Sequence, residues 1–300
     1  MMNLIANVIM GDRPEPFLKF CMESISEAVD FVVLNDNSDN PDNPNIPVLK
    51  KTSLYKNGKV DVLQSNFKEI GGFAAARNIC LDRVSELIKK KEISGENLWI
   101  LYLDCDEVHP PQLTTFVKDF ISNVPGEIGI IDGYMYQFIL TFDYYTTLER
   151  RHNLFFRFHP DIRWERPVHE TLTGLKGKRI ATGYTYCHYG YLLSREDLLK
   201  RWELYDKYDG LDFNIKDVDE NNMLMEKSAL AIPYVKGHPA IMKEYIDEFR
   251  RNPGQLNIKF QDETMKLRED PIFKIKNYFR HLNYELRLRF RNMETGKFRR

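Results

Sequence analysis

The 300-residue sequence has few cysteines, no long apolar run and no internal repeat. Its four cysteines are far apart and show no zinc-type pairing, which argues against a disulfide framework and against structural zinc. No stretch approaches the roughly 18 apolar residues that span a bilayer. The first apolar run, 4–10, is interrupted by Asn7 and lacks the cleavage site of a secretory signal. We therefore expect a cytoplasmic protein.

The composition that is present is typical of a globular protein. Hydrophobic residues make up 43% of the chain, aromatic residues 13% and charged residues 29%, which is enough to build a core. The formal net charge of −1 is unevenly distributed. Residues 273–300 carry nine Lys/Arg against two Glu, a net of +7, which leaves −8 for the rest. The sequence thus predicts a basic appendage on an acidic body.

Hydrophobic periodicity divides the first hundred residues into alternating strands and helices. Apolar runs predict strands over 4–10, 31–34, 59–64 and 98–103, and helical spacing predicts helices over 15–25 and 73–91. A strand, a helix and a second strand in this order predict a βαβ unit. We therefore expect an α/β fold with a mixed, mostly parallel central sheet flanked by helices. The Pro- and Asn-rich residues 39–47 predict a surface loop.

The centre of the chain has a different pattern. Aromatic and β-branched residues dominate 128–158 and predict antiparallel strands added to the sheet. Shorter runs predict strands over 168–172 and 185–189. Ser194 and Asp197 stand at the capping-box distance and predict a helix from about Arg195 to Tyr208. We expect one domain over 1–210 and a helical extension over 211–300.

Acidic residues directly follow two of the predicted strands. Asp36 follows one, and the triplet Asp104-Cys105-Asp106 follows an apolar run. Open α/β sheets bind ligands at the carboxyl ends of their strands. Two carboxylates separated by one inward-facing residue suit Mg²⁺ or Mn²⁺ that also bridges phosphates. Acidic triplets are common in solvated loops, but a buried strand that delivers acids at its tip has no packing reason to do so.

Four motifs in this order resemble those of family 2 glycosyltransferases with the GT-A fold. They are the strand and loop Phe31–Asp39, the stretch Gly71–Asn78, the block Leu103–Glu107 and the segment Trp164–Glu170. The motifs are specific as a set, although no single one is. The resemblance covers roughly residues 1–210 and implies that this domain is a catalytic domain that binds a nucleotide-diphosphate sugar.

The resemblance implies a nucleotide site at the ends of the first two strands. Asn35 and Asp36 occupy positions that contact the nucleobase and ribose, although the family more often has two acids there. Met10 and Gly11 would line the same site, and Arg77 matches an arginine near the nucleotide. The structural alternatives are a turn-forming role for Asp36 and a solvated helix charge for Arg77.

The resemblance also implies a metal site. Asp106 would be the main protein ligand, and Asp104 would contact both ribose and metal. His188 would complete the site with an imidazole nitrogen, although a lone histidine in such a place is more often a packed or hydrogen-bonding residue. The implied cofactors are Mn²⁺ or Mg²⁺ and a nucleotide-sugar donor, of which a UDP-sugar is the first candidate.

Inverting sugar transfer needs a general base on the acceptor hydroxyl, and Glu170 is the candidate. Its structural alternative is an ion pair with Arg163 or Arg166, in which case Asp143 or Glu107 would be the base. The predicted activity is metal-dependent inverting transfer of a sugar to a hydroxyl acceptor, in the synthesis of glycans or surface polysaccharides.

The end of the chain predicts an amphipathic helix with a basic polar face. Ile275, Phe279, Leu282, Leu286 and Phe290 recur at steps of three and four. Such a helix can pack on the body with its cations in water, bind an anionic membrane surface at the inner face, or hold a nucleic acid. Membrane binding would suit an enzyme with a lipid-linked acceptor.

Three other functions are compatible with the sequence. A glycosyltransferase that modifies a nucleic acid base would use the basic tail to hold the phosphate backbone. A nucleotidyltransferase would share the sheet and the paired acids, but no Gly-rich, Lys-containing phosphate loop lies near the first strand. A non-catalytic nucleotide-binding module would keep the fold, and Asp106→Ala would then leave every assayable property unchanged.

Overall fold

The computed structural model describes residues 3–40, 42–139, 141–192, 232–252 and 271–296. These residues form a mixed nine-stranded sheet, a separate two-stranded hairpin and helices on both faces of the sheet. The α/β architecture with a large central sheet is as expected. The predicted helix from Arg195 to Tyr208 and the domain boundary at residue 210 lie outside the described residues.

The first four strands of the chain are neighbours in the sheet. Their bounds are β1 (Asn3–Met10), β2 (Phe31–Asp36), β3 (Val60–Gln64), β4 (Leu98–Asp104), β5 (Glu107–Val108), β6 (Ile128–Ile139), β7 (Thr141–Arg157), β8 (Arg163–Glu165), β9 (Thr171–Thr173), β10 (Lys178–Tyr191) and β11 (Ile232–Pro233). The sheet order is β3-β2-β1-β4-β7-β6-β10-β5, with β11 on β7, and β8 pairs with β9 apart from it. The block β3-β2-β1-β4 is entirely parallel.

The helices have the following bounds in the described residues: α1 (Leu18–Ile25), α2 (Ile46–Leu49), α3 (Ser53–Lys56), α4 (Phe67–Ile70), α5 (Phe73–Lys89), α6 (Gln112–Thr115), α7 (Lys243–Arg251) and α8 (Pro271–Gly296). A π-helical turn over Phe116–Phe120 and short 3₁₀ turns over Ile121–Asn123 and Ala240–Met242 complete them. None of the described helices has the length and apolarity needed to cross a bilayer.

The parallel block is buried on both faces because α1 and α5 cover opposite sides of it. Successive side chains of a strand point to opposite faces. Leu4 and Val8 of β1 accordingly pack with α1, whereas Ile5 packs with α5. This double burial explains why the first strands are continuous apolar runs rather than alternating ones. The predicted βαβ unit is confirmed by the parallel pairing of β1 with β2.

The second half of the sheet is built around an antiparallel pair. β6 and β7 pair antiparallel, and β7 joins the parallel block by antiparallel pairing with β4. These antiparallel additions were predicted. The strand predicted over 168–172 is wrong: only Thr171–Thr173 is extended, and it pairs with β8 outside the main sheet. Val168 is instead a buried loop residue, which explains its apolar character.

Candidate functional site

The carboxyl ends of β1, β2 and β4 lie side by side at one edge of the parallel block. The strand register pairs Met10 with Asp36, and Ile9 with both Asn35 and Asp104. The acids that follow two separate strands in the sequence are therefore neighbours across β1. This edge is where open α/β sheets bind their ligands.

Asp36 is buried and fixes the loop that follows β2. Its Oδ1 accepts hydrogen bonds from the backbone N–H of Ser38 at 3.1 Å and from Nδ2 of Asn43 at 2.8 Å. The Nδ2 atoms of Asn43 and Asn45 each donate to the carbonyl of Gly11 at 3.0 Å. The prediction of a surface loop over 39–47 is therefore wrong at these two asparagines, which are 2% exposed because they tie the loop to the strand ends.

Asn35 and Met10 are also buried at this edge. The amide of Asn35 donates from Nδ2 to the carbonyl of Ala76 at 3.0 Å and accepts from Oγ of Ser65 at 3.0 Å. Both ends of its side chain are therefore engaged inside the protein. Asn35 connects the end of β2 to the first turns of α5.

Arg77 is a buried cation shared by two carboxylates. Its Nε donates to Oε1 of Glu170 at 3.0 Å, and its Nη2 donates to Oδ1 of Asp104. The guanidinium also lies 4.2 Å from the ring centroid of Tyr102, within cation–π range. Arg77 is 3% exposed, so it is not a solvated helix charge. The ion pair of Glu170 is made with this residue rather than with Arg163, which pairs with Asp82 at 3.0 Å.

A second arginine, which the sequence did not single out, holds the other oxygen of Asp104. Nη2 of Arg151 donates to Oδ2 of Asp104 at 2.7 Å, and its guanidinium lies 3.9 Å from the centroid of Tyr102. Partial burial alone would raise the pKa of Asp104, but the charges of Arg77 and Arg151 outweigh this and hold it below its usual range. Asp104 is therefore ionised at neutral pH.

Glu107 accepts a backbone hydrogen bond within the turn 104–107 and holds that turn in place. Its Oε2 accepts the backbone N–H of Asp104 at 3.0 Å, and its Oε1 accepts the hydroxyl of Tyr186 at 3.1 Å. The side chain is fully buried, and this burial raises the pKa of Glu107 to about 7. A carboxyl with no exposed surface cannot meet an acceptor directly, so its position favours a supporting role.

The structure brings Asp106 and His188 together. Antiparallel pairing of β5 with β10 sets His188 opposite Glu107, and Nε2 of His188 lies 3.2 Å from Oδ1 of Asp106. Cys105 between the two acids is turned inward, where its Sγ donates to the carbonyl of Ile9. Among the described residues, no group of three His, Cys, Asp or Glu side chains is arranged to hold a metal ion. The chain thus supplies a carboxylate–imidazole pair here, while the carboxylate of Asp104 is held by arginines.

The segment 164–170 is attached to the N-terminal half of α5. Asn78 and Trp164 exchange two hydrogen bonds, from Nδ2 of Asn78 to the Trp164 carbonyl at 2.9 Å and from the Trp164 N–H to Oδ1 of Asn78 at 2.8 Å. The N–H of Phe73 donates to the carbonyl of Pro167 at 2.9 Å. A Cβ on Gly72 would lie 2.7 Å from the Cα of Pro167, so only glycine allows this approach. These contacts position the segment so that Glu170 lies within hydrogen-bonding distance of Arg77.

The other candidate base lies elsewhere. Asp143 on β7 accepts a hydrogen bond from Arg250 of α7 at 2.6 Å, and both side chains are more than 40% exposed. Its neighbour Phe142 packs against Tyr189 of β10 and Phe249 of α7, in a group of buried and half-buried side chains here named the aromatic cluster, away from the strand ends. Of the acids named from the sequence as candidate bases, Glu170 alone pairs with Arg77.

No family model matches the chain, and no curated protein shows significant similarity to it. Among solved structures, a 4-diphosphocytidyl-2C-methyl-D-erythritol synthase is similar at 13% identity with a TM-score of 0.31, over 52% of this chain and 75% of that one. A similarity of this size assigns neither fold nor activity.

Proposed function

We propose that the protein is a metal-dependent inverting glycosyltransferase of GT-A type that moves a sugar from a UDP-linked donor to a hydroxyl acceptor. The observation that carries the proposal is the shared cation Arg77. It bonds Asp104, which the family resemblance puts on the donor side, and Glu170, which the resemblance puts on the acceptor side. Glu170 is 93 positions from Arg77 in the sequence, so this cation holds two distant segments together, as a transferase would need between its donor and acceptor groups.

The donor nucleotide would lie against the ends of β1 and β2. Ser38 and Asn43 hold Oδ1 of Asp36, which fixes the orientation of the carboxylate, and its other oxygen would contact a ribose or base. Gly11 has open space where a Cβ would stand, so a ligand can approach the backbone there. Asp104, ionised and held by two arginines, would accept a ribose hydroxyl.

Asp106 and His188 would hold the metal. A carboxylate oxygen and an imidazole nitrogen suit Mn²⁺, and Mg²⁺ bound with substrate phosphates commonly takes only one or two protein carboxylates. These two side chains would therefore suit an ion that also binds the phosphates of the substrate. When bound, such an ion would neutralise charge on the leaving nucleoside diphosphate.

Glu170 would act as the general base. Arg77 holds its Oε1, and this leaves Oε2 for the acceptor hydroxyl. The side chain is 12% exposed, so an acceptor can reach it, whereas Glu107 is closed off. Proton removal by a positioned carboxylate contributes about 10²–10⁴-fold to a rate.

The proposal is tested by thermal unfolding with UDP, GDP, CDP and their sugar conjugates, each with and without Mn²⁺. A ligand at 100 times its Kd stabilises the folded state by about 2.7 kcal/mol. We expect a shift with UDP that grows with Mn²⁺, and loss of the Mn²⁺-dependent part in Asp106→Asn. Asp119→Asn, an exposed acid on the π-helical turn, is the matched control and should behave as wild type.

The reaction is then followed by release of UDP from the sugar nucleotide that gives the largest shift. Glu170→Gln should keep the UDP shift and lose at least about 100-fold in transfer. Absence of any shift with sugar nucleotides, together with consumption of a nucleoside triphosphate, would replace the proposal by a nucleotidyltransferase. A full Mn²⁺-dependent shift in Asp106→Asn would refute the role of Asp106. Wild-type turnover in Glu170→Gln would refute the role of Glu170.

A further inference from the structure

Helix α8 exposes its apolar side chains. Ile275, Phe279, Leu282, Leu286 and Phe290, here named the apolar stripe, are between 40% and 62% exposed. Scattered apolar residues are normal on protein surfaces, but a continuous row of five on one helix face marks an interaction site. The stripe was predicted from the sequence as the apolar face of an amphipathic helix, and the structure shows that this face does not pack on the described part of the body.

The opposite face of α8 packs on the body instead. Asn277, His281, Tyr284 and Leu288 each follow a stripe residue by two positions, which is a rotation of about 200° around a helix. Leu288 and Tyr284 pack in the aromatic cluster, and Nδ1 of His281 lies 3.4 Å from the hydroxyl of Tyr145. Because the inner face anchors the helix, the stripe is held outward in a fixed orientation.

Cations flank the stripe on both sides. At 100° per residue, Lys276 and Arg287 lie along one border and Arg289 along the other, and all three are exposed. Glu285 near the second border is neutralised by Lys236 at 2.8 Å. The outward surface of α8 therefore combines an apolar centre with positive margins.

We propose that the apolar stripe docks on a membrane surface that contains anionic lipid. Apolar side chains would enter the boundary of headgroups and acyl chains while the flanking cations meet lipid phosphates and carboxylates, as in interfacial amphipathic helices. A second copy of the chain is the less suitable occupant. Two such helices packed stripe to stripe would bring Lys276, Arg287 and Arg289 of one copy close to those of the other, while Glu285 is already paired with Lys236, and such like-charge pairs are destabilising.

The test uses the full chain and sedimentation with vesicles of phosphatidylcholine alone or with added phosphatidylserine. We expect binding only to the anionic vesicles. Phe279→Ser with Leu286→Ser should reduce partition about 100-fold, since two large apolar side chains no longer leave water. Lys276→Gln with Arg287→Gln should reduce it roughly 30-fold, at about fivefold per charge. Asn283→Ser, exposed and polar on the same helix, is the control and should bind as wild type.

Two measurements without vesicles test whether something other than a membrane covers the stripe. Thermal unfolding tests for the chain's own residues, and sedimentation velocity tests for a second copy of the chain. The stripe variant should unfold at the wild-type temperature, because the replaced side chains are exposed. A lowered unfolding temperature without vesicle binding would mean that the chain's own residues cover the stripe. A wild-type dimer that becomes a monomer in the stripe variant would mean that a second copy does. Either result, or equal binding to both kinds of vesicle, overturns the proposal.

Discussion

Replacement of Arg77 by methionine is expected to destabilise the protein strongly. Arg77 has a side chain that is 4% exposed and donates to two carboxylates, Asp104 and Glu170, whose side chains are 28% and 12% exposed. Methionine preserves much of the length and removes the charge and all donors. In the variant, the carboxylates of Asp104 and Glu170 therefore lose the buried cation that neutralises them.

The magnitude follows from the burial of the partners. Loss of one partner of a buried ion pair costs about 3–5 kcal/mol. The lower end applies here, about 3 kcal/mol, because Asp104 keeps its bond to Arg151 and is partly solvated. The pKa of Asp104 is lowered in the folded state, so its stabilising contribution is present above the unfolded pKa and is lost as the pH falls through the folded value. The difference between variant and wild type should therefore be largest at neutral pH and shrink in acid.

The measurement is urea unfolding followed by circular dichroism at neutral and acid pH. Arg83→Met on the same helix is the control, since Arg83 pairs with Asp61 and Glu86 nearer the surface and should cost less than about 1 kcal/mol. Adding Glu170→Gln to Arg77→Met should recover about 1–2 kcal/mol relative to additivity. An Arg77 variant as stable as the Arg83 variant, or full additivity with Glu170→Gln, would refute the shared-cation argument.

Two further changes test the supports of the site. Gly72→Ala should lower the free energy of unfolding by at least about 2 kcal/mol and lower transfer activity, because φ is +129° and the new Cβ would meet Pro167. Gly71→Ala is the control: its φ is also positive but the space around it is open, so it should cost about 1 kcal/mol in the same urea assay. Glu107→Gln should gain stability relative to wild type as pH rises from about 4.5 to 7, because a raised folded pKa makes wild type lose stability over that window. A pH-independent difference would contradict the burial of a protonatable Glu107.

The sequence predicted the first four strands and the position of the acidic triplet because local signals are strong there. Strands buried on both faces are continuous apolar runs, and the acids that interrupt them mark the strand ends. Boundaries differed by a few residues, as at α1, which begins at Leu18 rather than at residue 15. Its N-terminal prolines favour a turn before the helix.

Contacts set by register were not predictable in the same way. Arg151 reaches Asp104 only because β7 pairs antiparallel with β4 and bulges within its pairing to β6, and no local pattern specifies that offset. The partner of Glu170 was placed among its sequence neighbours, whereas left-handed backbone at Arg166 and His169 turns the segment back onto α5. The sequence left the orientation of α8 open, because its inner face combines Leu288 with the polar or aromatic residues Asn277, His281 and Tyr284, which hydropathy does not mark as a packing face.

The N-terminal half of α5 explains why the four motifs occur together. Its Ala76 carbonyl accepts from Asn35 of the first motif, Arg77 bonds Asp104 of the third, and Asn78 holds Trp164 of the fourth. Three consecutive residues thus face three different segments, which helix geometry permits because each is turned about 100° from the last. We expect a change in any one motif to alter the position of this helix relative to the strand ends. The motifs are therefore one structural unit, and their specificity as a set has a physical cause in these contacts.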